Sequence, residues 1–251
     1  MSSPTPSRSA SLPVLFAGWL RDSIRRRGFW ETLKNFSEQF RLFLRESLPD
    51  RRKSRFGDID YDCDYGVDTT WARLSWGVRL RELFTERQYQ PTDPQEFHEV
   101  IRRVKADLSS FVFIDMGSGK GRALLLACGY PFREIIGVEV QPELHHIAQE
   151  NILRFENTHK CGRVSSVCMD ARKFLFPNEP LFLYLFNPFP DYVFETVLSN
   201  LEETLRLKPR PLLVVYNTPW ERQIIESATF LEKIFEDHHF QIYRGVNSSN
   251  A

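Results

Sequence analysis

No apolar run in this chain approaches the roughly 20 residues that a helix needs to cross a bilayer. The longest near the start, residues 12–20, is interrupted by Pro13 and Gly18. Only Arg8 precedes it as a basic residue and no evident cleavage site follows, so a secretory signal is not expected. Cysteine is scarce too. Cys63, Cys128, Cys161 and Cys168 form no C-x-x-C pair and have no histidine at zinc-ligand spacing, so no metal is expected. They read as reduced thiols of a cytoplasmic protein, with Cys128 and Cys168 serving as small hydrophobes in apolar stretches.

Net charge is also missing, because 33 basic residues balance 33 acidic ones. The balance is uneven along the chain. Residues 1–56 hold 12 Lys and Arg against 5 Asp and Glu, a net of +7, which leaves −7 for the remainder. A protein built to grip nucleic acid concentrates positive charge on its main domain. No nucleic-acid partner is therefore expected.

What is present suits one globular domain with a modest extension: 251 residues, 42% of them hydrophobic. Phenylalanine is abundant at 21 residues, which predicts an aromatic core. Residues 1–11 are rich in Ser and Pro and are expected to be disordered. Residues 12–57 read as a basic amphipathic helical extension and linker. In it Phe29, Leu33, Phe36, Phe40 and Leu44 recur every three or four positions among Arg25, Arg26, Arg27, Lys34, Arg41 and Arg45. Such a stripe can lie on an anionic membrane surface, through residues 12–48, or cover the core of its own molecule. The second is favoured, because apolar stripes usually mark core-facing helices.

Residues 58–251 form the predicted main domain. It opens with an acidic, Tyr-containing loop at 58–70, which reads equally as a lid over a ligand or as a solvated turn around Gly66. Thr92-Asp93-Pro94 signals a helix start, with Phe97, Val100, Ile101 and Val104 as its buried stripe. A regular alternation follows. Strands are predicted at 111–116, 134–139, 164–169, 181–186 and 211–216, and helices at 122–128, 142–155 and 191–205. Residues 230–244 read as an antiparallel hairpin turning near His238-His239, or as a helix before that turn. Strand and helix in alternation imply an α/β, doubly wound, mainly parallel sheet, seven-stranded once the hairpin is added.

Ligands of such sheets bind beyond the carboxyl ends of the strands. The first strand closes on Asp115, then Gly117, Ser118, Gly119, Lys120 and Gly121. Glycines let the backbone turn sharply and approach a ligand, and the next helix start presents N–H groups. A P-loop is excluded, since Gly119-Lys120 is followed by Gly121 and the earlier glycine position holds Ile114. A dinucleotide fingerprint wants G-x-G-x-x-G where this chain has G-x-G-x-G. The second strand closes on Glu139, whose carboxylate can accept from both hydroxyls of a ribose. The third closes on Met169 and Asp170, suited to pack on an adenine and to accept from its amino group. The fourth closes on Asn187, Pro188, Phe189 and Pro190. All four strand ends are accounted for by an adenosine carrying a methionine tail, whereas a dinucleotide leaves two idle.

At this point the chain resembles the class I S-adenosylmethionine-dependent methyltransferases, over residues 111–216. The resemblance implies a Rossmann-like methyltransferase fold with S-adenosyl-L-methionine as cofactor. It implies that Asp115, Gly117, Ser118, Gly119 and Gly121 line the methionine part, that Glu139 binds the ribose, and that Met169 and Asp170 lie by the adenine. The stretches YGVDTT and YLFNPFP are similar to a group of bacterial methyltransferase-domain proteins whose acceptors are not assigned. Methyltransferases of planar amino nitrogens carry Asn/Asp-Pro-Pro-Tyr/Phe where this chain has Asn187-Pro188-Phe189-Pro190. The catalytic assignment is thus Asn187, Pro188 and Phe189 around an unidentified acceptor, a nitrogen on a protein side chain or small molecule. Two other readings stand beside this one: an NAD(P)-dependent oxidoreductase, and a non-catalytic cofactor-binding module docked by its basic helix. Tyr216 at the end of the fifth strand borders the expected acceptor pocket, and Lys120 and Arg122 either meet the cofactor carboxylate or are solvated.

Overall fold

The computed structural model describes residues 12–46, 59–70, 90–155, 161–186, 190–219 and 222–246. The terminal tail 1–11, the linker 50–57 and the tripeptide Asn187, Pro188 and Phe189 lie outside the described residues. The chain divides into two compact units, Arg8–Pro91 and Thr92–Ala251, the second grouped with Met1–Ser7. Helix 59–65 therefore groups with the N-terminal unit, although the sequence pattern places it in the main domain.

The basic extension is not one helix but two, α1 (Leu12–Arg27) and α2 (Phe29–Glu46). Gly28 separates them at φ +82, a left-handed conformation that glycine adopts without steric cost. The Thr32 hydroxyl donates to the Gly28 carbonyl at 2.8 Å, which steadies the first turn of α2. The helices meet through aromatic rings: Phe36 stands 6.3 Å from Phe16 and 5.6 Å from Trp19. Because Thr32 and Phe36 turn to one flank of α2, Phe29, Leu33, Phe40 and Leu44 are exposed, against the expectation of a core-facing stripe. No helix among the described residues is long and apolar enough to cross a membrane.

Helix α3 (Ile59–Tyr65) ends in a compact turn. The Asp62 carboxylate accepts from the backbone N–H groups of Thr69 at 2.8 Å and Thr70 at 2.9 Å. Asp62 and both threonines are buried, while Cys63, Asp64, Tyr65 and Gly66 are exposed, so the turn around Gly66 is solvated and its two flanks are buried.

The larger unit begins at α4 (Pro94–Arg103), which the Asp93 carboxylate caps by accepting from Gln95 and Glu96 N–H. Phe97, Val100 and Ile101 are buried as their spacing predicts. Strands β1 (Val112–Met116), β2 (Glu134–Glu139), β3 (Val164–Cys168), β4 (Leu181–Phe186) and β5 (Leu212–Asn217) follow. Helices α5 (Arg122–Ala127) and α6 (Pro142–Arg154) join β1 to β2 and β2 to β3, α7 (Asp191–Leu207) joins β4 to β5, and α8 (Arg222–Glu226) follows β5. The tail resolves into the hairpin β6 (Leu231–Glu236) and β7 (Phe240–Gly245), turning at residues 237–239. The sheet order is β3-β2-β1-β4-β5-β7-β6, parallel except where β7 pairs antiparallel with β5 and β6. This is a doubly wound, Rossmann-like α/β fold.

Alternation along each strand sorts the side chains onto two faces. One is aliphatic: Ile114, Val138, Leu183, Val214 and Tyr216 pack with Phe194, Val197 and Leu201 of α7. The other is aromatic. Phe113 stacks on Phe182 at 5.5 Å, Phe97 meets Tyr184 at 5.5 Å, and Phe132 meets Phe182 edge-on at 5.3 Å. Each such pair contributes about 0.5–1.5 kcal/mol beyond the area it buries. The aromatic face carries the polar strand ends.

Candidate functional site

In register, Asp115 of β1 lies beside Gly137 of β2 and Tyr184 of β4, so all three point to the aromatic face. Glu139, two residues beyond Gly137, and Asn217, two beyond Val215, continue that face to the carboxyl edge. The sheet thereby gathers two acids, a phenol and an amide around the start of the glycine loop.

The loop takes its shape from Gly117, Gly119 and Gly121, at φ +89, +52 and +86. Side chains rarely adopt these angles, which explains three glycines in five residues. Four of its N–H groups, those of Gly117, Ser118, Gly119 and Gly121, donate within the protein. Those of Gly117 and Ser118 donate to the Val138 carbonyl at 2.8 and 3.1 Å, and that of Gly121 to the Ser118 carbonyl at 2.8 Å. The N–H of Gly119 donates to Glu139 Oε2 at 2.9 Å, while Glu139 Oε1 accepts from Gln141 N–H at 2.8 Å. Glu139 is thus a brace for the loop as well as a strand-end acid, a role only the folded chain discloses.

Ser118 turns its hydroxyl inward. A Cβ built on Gly137 would stand 2.7 Å from Ser118 Oγ and 2.6 Å from Leu124 Cδ1. Ser118 Oγ is buried without a hydrogen-bond partner among the described residues. Its position serves packing beneath the loop. Gly137→Ala is expected to push Ser118 and Leu124 aside, destabilise the fold by about 1–3 kcal/mol and weaken cofactor binding together. Denaturant unfolding beside a ligand titration checks this.

Both acids are buried. Burial, then the charge of Glu139, pushes the Asp115 carboxyl up to about 8. Burial also raises Glu139, against the opposing N–H bonds from Gln141 and Gly119. Asp170 differs. Its carboxylate accepts from Arg172 Nε at 3.0 Å and from Arg172 N–H at 3.0 Å, capping the 3-10 turn Ala171–Lys173. The hydrogen bond from Arg172 holds it below the usual carboxylate range. Met169 is half-buried, packed on the aliphatic core, with its N–H on the Glu139 carbonyl at 2.9 Å.

The sequence pattern missed a polar cluster at the ends of β4 and β5. Asn217 Nδ2 donates to Tyr184 Oη at 3.1 Å, and Glu96 Oε1 stands 3.2 Å from His239 Nδ1. Thr218, after Asn217, is the non-glycine residue at positive φ, +49, among those described. Tyr216, read from sequence as a pocket residue, packs instead against Phe194 at 5.3 Å on the aliphatic face. Strand alternation puts Asn217, not Tyr216, on the side of Asp115. The one signal in the sequence is a polar residue in an otherwise apolar run, Tyr184 within LFLYLF and Asn217 closing LLVVYN. Lys120 and Arg122 are buried, which sets aside the solvated reading of both.

No protein-family model and no curated protein matches the chain. Among solved structures it is similar to TrmN from Thermus thermophilus, at 14% identity and a TM-score of 0.47, over 61% of this chain and 49% of that one. The chain thus spans about half the length of the Thermus protein. A putative RNA methyltransferase from Pyrococcus horikoshii overlaps 62% of this chain and 83% of its own, at 18% identity and a TM-score of 0.45. Magnesium protoporphyrin IX methyltransferase from Synechocystis, solved with bound SAM, overlaps 62% of this chain and 79% of its own, at 15% identity and a TM-score of 0.41.

Proposed function

We propose that this protein binds S-adenosylmethionine at the carboxyl ends of β1–β3 and methylates an acceptor beyond β4. The observation that carries this reading is a glycine loop flanked by two buried acids, with the loop N–H groups of Gly117, Ser118, Gly119 and Gly121 already satisfied. A pyrophosphate needs N–H donors and no facing carboxylate. Here the Glu139 carboxylate occupies the Gly119 N–H, and Asp115 lies alongside. A ligand bearing an ammonium group suits that chemistry. The sheet order also departs from the 3-2-1-4-5-6 of dinucleotide folds, because β7 intervenes between β5 and β6. Both points weigh against the oxidoreductase alternative.

When bound, S-adenosylmethionine supplies an electrophilic methyl group, whose loss leaves a neutral thioether. The residues hold and orient. Asp115, once ionised, pairs with the amino group of the methionine part. Glu139 retains lone pairs on each oxygen beyond those facing Gly119 and Gln141, and these accept from the ribose hydroxyls. Met169 and Asp170 flank the adenine, with Asp170 oriented by Arg172. Calorimetric titration with S-adenosylmethionine, S-adenosylhomocysteine and NADH tests the reading. Binding of the first two supports it, and binding of NADH alone replaces it with the oxidoreductase.

For the acceptor, a nitrogen on a protein or small molecule is favoured by Asn187-Pro188-Phe189. In this reading the Asn187 amide oxygen and the Pro188 carbonyl are the groups that would accept from the nitrogen and hold its lone pair toward the methyl group. Asn187→Ala is expected to lower turnover on an identified acceptor by about 100-fold while leaving cofactor affinity intact. Full turnover by the variant ends this assignment.

A further inference from the structure

The α1–α2 hairpin exposes more apolar surface than a surface helix pair needs. Trp30 is 78% exposed, Phe29 56%, and Leu33 and Leu44 49% each. At 3.6 residues per turn, Phe29, Leu33, Phe40 and Leu44 fall within an arc of about 60° along α2. Trp30 lies about 40° beyond that arc, and the exposed Lys34 and Arg41 follow next to it. Glu31 and Glu38 lie further round, on the opposite side. On α1, Val14 is 61% exposed and shares its outward face with Arg25.

We propose that this hairpin docks the protein on an anionic lipid surface, with the Phe29–Leu33–Leu44 stripe seated among the acyl chains near the headgroups. Three observations select lipid as the occupant. The stripe combines large apolar side chains with an indole, which settles at the boundary of hydrocarbon and water. Lys34 and Arg41 border it where long cationic side chains reach headgroup phosphates while their stems cover apolar surface. The surplus of +7 over residues 1–56 complements an anionic leaflet, and a second copy would bring the same positive surplus to the contact. The proposal is independent of which cofactor the larger unit binds.

Co-sedimentation of the full-length protein with phosphatidylcholine vesicles, with and without phosphatidylglycerol, tests it. Partitioning is expected to be about tenfold or more stronger onto the anionic vesicles and to fall as salt rises. The double variant Leu33→Asp/Leu44→Asp is expected to lose binding to both. Lys34→Glu/Arg41→Glu leaves the stripe intact and is expected to lose only the anionic preference. Circular dichroism and thermal unfolding of each variant show that the hairpin and fold persist. Absence of wild-type binding to anionic vesicles overturns the proposal, as does equal binding to neutral ones. So does unchanged binding by the variants, or a solution dimer that Leu33→Asp/Leu44→Asp dissociates, which would assign the stripe to a contact between copies.

Discussion

Between pH 6 and 8 the affinity of this protein for S-adenosylmethionine is expected to rise by about tenfold per pH unit, then to level off. The cause is Asp115. Burial, then the neighbouring Glu139, pushes its carboxyl up to about 8, so without ligand it is neutral through the physiological range. A methionine ammonium pairs with the ionised form, so binding must release a proton. Titrations in buffers of different ionisation enthalpy measure that release directly. Asp115→Asn keeps the shape and removes the charge. It is expected to bind about 100-fold more weakly at pH 8, with no pH dependence across this window.

Stability should move the opposite way. A carboxyl whose folded pKa lies above its unfolded value of 3.8 contributes its stability in full below about pH 4. That contribution falls as pH rises to about 8, at no more than about 1.4 kcal/mol per pH unit. Asp115→Asn removes the decline, so the variant should resist denaturant better than wild type at pH 8 while binding cofactor worse. A wild-type affinity that stays flat from pH 6 to 8 would remove Asp115 from the ligand site.

Glu139→Ala carries the second large effect. It leaves the Gly119 and Gln141 N–H groups, now held at 2.9 and 2.8 Å, without their acceptor in a buried setting. Each costs about 1–3 kcal/mol, and the two together correspond to a thermal midpoint lower by about 4–24 °C in a chain of this size. Cofactor affinity should fall by about 100-fold or more, since both the ribose acceptor and the brace on the loop are lost. Glu139→Gln separates the two contributions. Its single carbonyl oxygen can hold one of the N–H groups, so stability should be intermediate while cofactor binding stays poor. Normal cofactor affinity in Glu139→Ala would leave the residue a brace and nothing more.

Much of this molecule was legible before folding. The strands FVFIDM, LFLYLF and LLVVYN stand out because a parallel strand covered on both faces is an unbroken apolar run. The order of elements, the glycine loop after β1 and the hairpin turning at 237–239 followed from the same local patterns. So did Asp115 and Glu139 as strand-end acids, since a charged residue closing an apolar run has few places to go but an edge.

The sequence alone determined the strands of the sheet and the helices between them, their chain order and the residue types at each strand end. The tertiary structure decided which of those residues face one another. A strand apolar on both faces carries no mark of its orientation, so register with β4 was needed to set Asn217 beside Tyr184 and to send Tyr216 into the aliphatic core. The same holds for Glu139, whose bond to Gly119 spans 20 residues, and for Ser118, whose hydroxyl fits only because Gly137 lacks a Cβ. The helical extension followed this rule as well. Its apolar stripe was plain in the sequence, yet the left-handed turn at Gly28 and the packing of Phe36 against Trp19 decided that Phe29, Leu33 and Leu44 turn outward. Local periodicity fixes which side chains share a face, and only the neighbour that packs there settles whether that face is buried.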